Sequence, residues 1–135
     1  MTITIEASIP SNIDIVWNTW ITPEHIKKWN TASDDWHTTV SEIDFKEGGE
    51  FFSRIEAKDG SSGFDFKGVI KKIISNKLIE YTLEDGRNVS VKFEPLENGT
   101  KVIETFDAEN ENSIEIQRNS WQSTLNNFSK YVEAL

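Results

Sequence analysis

Two histidines, one carboxylate inside a β-patterned segment and one acidic run are the residues of this chain that could do catalytic or metal chemistry. Nucleophilic hydrolysis needs a serine with a base in reach and a third group to orient that base. His25 and His37 lie in or beside a helix-to-sheet connection, and no Gly-x-Ser-x-Gly elbow is present. A metal site needs three or four convergent ligands. His25 and His37 would converge with Asp34 or Asp35 only through the folding of the intervening loop, so both read as surface histidines. The run Asp107-Ala108-Glu109-Asn110-Glu111-Asn112 has carboxylates but neither the ligand register nor the mid-loop glycine of an EF-hand. Acids just ahead of a helix already have a favourable interaction with its N-terminal dipole. Cysteine is absent, which excludes disulfides and thiolate ligands. No metal and no cofactor are expected.

Glu104 stands apart from these. It alternates with Val102 and Phe106, so a regular strand turns it toward the protein interior. A carboxylate there must be hydrogen-bonded, solvated by a cavity or raised in pKa. Two readings stay open. A twist or bulge can turn the side chain to water, or Glu104 is a polar anchor in a pocket, shared with Tyr81 or Gln122.

The elements that would position such a pocket follow from turn chemistry and periodicity. Gly48-Gly49, Asp59-Gly60, Asp85-Gly86 and Asn98-Gly99 sit between runs of alternating apolar and polar residues, which is the pattern of an antiparallel meander. A first strand over Thr2–Ser8 ends at Pro10. Strands are predicted at 36–45, 50–58, 63–74, 77–84, 88–94 and 100–106. The inward set on the second strand is Thr39, Ser41, Ile43 and Phe45; Phe51, Ser53 and Ile55 follow on the third. Phe64, Phe66, Gly68 and Ile70 face inward on the fourth, where Gly68 marks a bulge or a close approach.

Between the first two strands, Ser11 with Asp14 has the spacing of a capping box, and Ile13, Val16, Trp17 and Trp20 form one helical face. Thr22-Pro23-Glu24 starts a second short helix. Asn112 with Glu115 caps the last helix, along which Ile114, Trp121, Leu125, Phe128 and Val132 make an apolar stripe. The expected fold class is α+β: a helix-grip in which a curved antiparallel sheet of about seven strands wraps a long C-terminal helix. A sheet closed on one helix encloses space. Trp29, Phe51, Phe66, Tyr81, Phe93, Trp121 and Leu125 would line it, with Glu104 as the polar contact, and Ser41, Ser53 and Gly68 would leave it less filled.

Composition bounds the function. The 135 residues suit a single domain, 1–135, that buries about two-thirds of its unfolded surface. Eight Phe and five Trp supply large buried areas to a chain that is 36% hydrophobic. Fourteen basic residues scattered among 23 acids, net charge −9, disfavour nucleic acid and anionic membranes as partners. No apolar run reaches the roughly 18 residues of a membrane-spanning helix, and no signal pattern opens the chain. A soluble cytoplasmic protein is expected.

The ordered set Val16-Trp17, Thr22-Pro23-Glu24-His25, Trp29, Gly48-Gly49, Asp59-Gly60, Gly68 and Trp121-Gln122 resembles START-like (SRPBCC) proteins. Gly63-Phe64-Asp65-Phe66-Lys67-Gly68 and the stretch from Phe106 to Trp121 resemble bacterial members of the branch named for the activator of Hsp90 ATPase. Ser120 and Asn12 depart from a frequent Gly and Pro. The resemblance implies a helix-grip fold and several divergent functions. They include carriers of a small hydrophobic, lipid or aromatic molecule, cyclase-like enzymes, and an interaction module that binds an Hsp90-type chaperone. The extra N-terminal domain of the eukaryotic co-chaperone is not present in this sequence, which favours the carrier, a non-enzymatic binding domain.

Overall fold

The computed structural model covers Met1–Leu135. Its seven strands are β1 (Thr2–Ile9), β2 (Trp36–Ile43), β3 (Glu50–Ala57), β4 (Gly63–Ile74), β5 (Leu78–Leu83), β6 (Asn88–Leu96) and β7 (Gly99–Asp107). Helices α1 (Ile13–Ile21) and α2 (Pro23–Trp29) lie between β1 and β2, and α3 (Ile114–Glu133) ends the fold. The strands form one antiparallel sheet in the order β1-β7-β6-β5-β4-β3-β2. Sequence neighbours pair throughout, except that β1 returns to β7. None of the helices is long and apolar enough to cross a membrane.

Strict alternation buries one face of β5, β6 and β7. Ile79, Tyr81 and Leu83, then Val89, Val91 and Phe93, then Val102, Glu104 and Phe106 are all buried. Leu125, Phe128 and Val132 of α3 are nearly solvent-free against that face, as the apolar stripe predicts. The stripe contains one member the pattern does not reveal: Gln117, buried among them. Its Oε1 accepts from the Glu109 N–H, and its Nε2 donates to the carbonyls of Glu109 and Asn112. The Asn112 N–H in turn donates to the Glu109 carboxylate. The acidic run is thus wired to its own backbone and to α3.

Local chemistry explains several departures from the expected elements. α1 is capped by Asn12 rather than Ser11, its side chain accepting from the Ile15 N–H at 3.0 Å, while the Ser11 carbonyl accepts from Thr100. α3 is capped by Ser113 rather than Asn112, through the Ile116 N–H. In both cases the side chain one residue later reaches the orphan amides. A bulge between Thr38 and Val40 resets the alternation of β2, so Thr38 is buried in place of Thr39, and the strand ends at Ile43 before Phe45. Of the four glycine pairs, Asn98-Gly99 lacks a positive φ. Gly99 is glycine because the Ile9 carbonyl occupies the space of a side chain. The β4–β5 turn has no glycine and uses Asn76 at φ 60°, a conformation asparagine tolerates.

Candidate functional site

Between the concave face of the sheet and α3 lies a cavity of about 520 Å³. That lies within the roughly 300–1,000 Å³ typical of small-ligand sites. Three aromatic groups build it. At one end Trp20, Trp29 and Phe128 meet edge to face or tilted with centroids 4.8–4.9 Å apart, and Trp29 Nε1 donates to the Thr19 carbonyl. Along the sheet, Phe51, Phe66 and Tyr81 pack against one another, with Phe51 and Tyr81 5.0 Å apart and nearly perpendicular. From α3, Trp121 stacks on Phe106 and meets Phe66 edge-on. The mouth includes Trp36 and Phe64 with centroids 5.9 Å apart, and the loop 30–33.

Gly68 serves close strand packing and not the cavity: it is not among the lining residues, and a Cβ there would run into the Thr82 carbonyl and lie 3.0 Å from Leu83 Cα and from Phe51 Cζ. The interior stays open for another reason. On β2 and β3 the opposed pair Ser41 and Ser53 put hydroxyls where large side chains would otherwise fill. The Ser41 hydroxyl has no hydrogen-bond partner in the protein.

Glu104 is the chemical centre of this wall. The ladders run without irregularity through Ile5, Glu104 and Val91, so no bulge turns the carboxyl to water. That reading is overturned: Glu104 is 5% exposed and lines the cavity. Burial alone pushes its pKa up to about 8, with no hydrogen bond or cation to offset it. Tyr81 lies two strands away and one row along, opposite Val89, which pairs with Phe106. Burial first, and then the charge of Glu104, raise its phenol well above the ordinary range.

The residues named from sequence sort cleanly. Trp29, Phe51, Phe66, Tyr81, Glu104, Trp121 and Leu125 all line the cavity. Phe93 does not: it is buried beyond the lining, edge-on to Trp17 at 5.0 Å and to Trp20 at 6.0 Å. Gln122 does not reach Glu104 either, since its amide donates to the Glu6 carbonyl and to Asn126. Sequence reasoning missed Trp20, Trp36, Phe64 and the loop 30–33 as parts of the lining. Trp36 opens β2, where alternation has no preceding residue to set its side; alternation did turn Phe64 inward, but did not place it in the lining. His25 Nδ1 lies 2.6 Å from Tyr131 Oη, fastening α2 to α3, while His37 is exposed on β2. The two histidines stand apart, and neither lines the cavity.

A curved seven-stranded sheet gripping a C-terminal helix around an open, aromatic-walled space defines a START-like, helix-grip protein. More particularly, the chain belongs to the activator of Hsp90 ATPase homolog 1-like family, whose model matches residues 10–133. It is similar to an AHSA1-like protein from Aeromonas hydrophila, with 46% identity over 99% of this chain and 93% of the other, and a TM-score of 0.94. It is also similar to a protein from Cytophaga hutchinsonii, 43% identical over 98% and 92% of the two chains, with a TM-score of 0.85. A protein from Nitrosomonas europaea shares the fold at 15% identity, with a TM-score of 0.85 over 99% and 95% of the chains. No curated protein matches the chain.

Proposed function

We propose that this chain is a non-enzymatic cytoplasmic binding protein that takes a small hydrophobic or aromatic molecule into the cavity between sheet and α3. The observation that carries this reading is an open, mostly apolar interior of about 520 Å³ beside a packed hydrophobic core. A filled interior would have favoured use of the outer surface alone. Trp29, Phe51, Phe66, Trp121 and Leu125 form the proposed apolar walls, and Tyr81 and Glu104 the proposed polar contacts. An apolar cavity with a few fixed polar groups binds by burying ligand surface and orients by hydrogen bonds. The test is a panel of planar hydrophobic compounds followed by amide and indole chemical shifts. Saturable shifts at Trp121 and Phe66 support the reading, and their absence across the panel removes it.

The family description supports a second reading, an interaction module for an Hsp90-type chaperone. It is tested by pull-down with a bacterial Hsp90 and by chaperone ATPase assay. No binding at tens of micromolar eliminates it.

A further inference from the structure

The polar groups of the cavity narrow the ligand beyond a greasy body. Glu104 is a buried acid, and the groups around it provide no base. Its ladder neighbours on β1 and β6 are Ile5 and Val91, and α3 brings Trp121 and Leu125 to the same lining. From β5 the facing titratable group is Tyr81, itself an acid. Two charged residues share the rest of the lining. Glu42 is exposed, and Arg87 is held by Asp85 at 2.8 Å. Arg87 is the one base in the lining, and its charge already has a partner.

An acid in such a place is satisfied either by keeping its proton or by meeting a cation. The protein supplies no cation, but it supplies surroundings that favour one. Aromatic rings from both short helices, the sheet and α3 line the cavity, and ring faces attract cations. The net charge of −9 draws cations toward the molecule as a whole.

We propose that the ligand is a lipophilic amine, its apolar body against the aromatic walls and its protonated nitrogen seated on the Glu104 carboxylate. This rests on the cavity being the ligand site. The phenol of Tyr81, one row along, and the unpartnered hydroxyl of Ser41 are the further polar groups available to such a molecule. Seating an ammonium makes the carboxylate the stable form. Below about pH 8 complex formation therefore releases the Glu104 proton to solvent.

The experiment compares naphthylmethylamine with its neutral isostere naphthalenemethanol between pH 6 and 8, by calorimetry and amide shifts, on the wild-type protein and Glu104→Gln. The amine is expected to shift Trp121 and Phe66 and to bind more tightly by about tenfold per pH unit as pH rises from 6 toward 8. The alcohol is expected to bind with a flat profile. In Glu104→Gln the amine loses tenfold or more at pH 8 together with its pH slope, and the alcohol is retained. Amine binding that is flat with pH in the wild type, or no tighter than the alcohol at pH 8, overturns the proposal while leaving the cavity as a ligand site. If neither probe shifts Trp121 or Phe66, the cavity reading falls with it. The wild-type pH profile decides the question without the variant.

Discussion

The indole of Trp121 lies flat on the ring of Phe106, with centroids 3.9 Å apart and planes 10° from parallel. This stack joins the middle of α3 to β7 directly beside Glu104, so it braces the helix over the cavity and forms part of its wall. Trp121→Ala is expected to cost about 2–3 kcal/mol, less than a fully buried tryptophan because the indole is only partly covered. Urea denaturation checks it: the midpoint falls, and Trp121→Phe recovers most of the loss.

Stability should fall as pH rises past the ordinary carboxylate range. Glu104 titrates at about 8 in the folded protein, against 4.5 for an unperturbed glutamate, so between those values the folded state binds a proton that the unfolded state has released. The folded state therefore loses up to roughly 1.4 kcal/mol per pH unit across that window, and the loss levels off above about pH 8. Urea unfolding at pH 5.5, 7 and 8.5 measures the slope. Glu104→Gln, which carries no titrating proton, should be flatter and relatively more stable at the alkaline end. An unchanged slope in that variant would assign the titration elsewhere.

Gly68→Ala should destabilise by about 1–3 kcal/mol, the range of overpacking in a tight core. The new methyl would meet backbone atoms of Thr82 and Leu83, which cannot rotate away as a side-chain tip can. Chemical denaturation is the measurement, and a neutral result would mean that β5 yields more readily than its pairing on both sides suggests.

Capping provides a paired test with neighbouring controls. Asn12→Ala and Ser113→Ala should each cost about 1 kcal/mol. Ser11→Ala and Asn112→Ala, whose side chains make no capping bond, should cost markedly less. The four thermal midpoints together locate both helix starts.

The architecture was legible because its determinants are local. Alternation on β5 to β7, the turn residues and the α3 stripe each depend on a few adjacent positions, and the site walls on those elements follow from them. What escaped was set by long-range geometry. The bulge at Thr39 depends on how β2 lies against β3. Phe93 faces inward as alternation requires, but α1 covers it before the cavity begins. The inward direction of Glu104 was readable as one of two alternatives, and only the unbroken ladders on both sides of β7 decide between them. The buried clasp at Gln117 has no sequence signal, since its partners are backbone groups of an irregular segment that no periodicity describes.

The return of β1 to the far side of the sheet has a consequence for the order of assembly. β2 to β7 join neighbours along the chain, whereas Thr2 must find Asp107. Closing so long a loop costs entropy that nothing repays until the partner strand exists. The meander should therefore form early, with β1 and the two short helices docking late. Conservative substitutions at Ile3 or Ile5 would then speed unfolding and leave the refolding rate nearly untouched, while those at Val91 or Val102 would slow refolding. On that order, the hollow interior comes into being only at the last step, when the N-terminal segment shuts it.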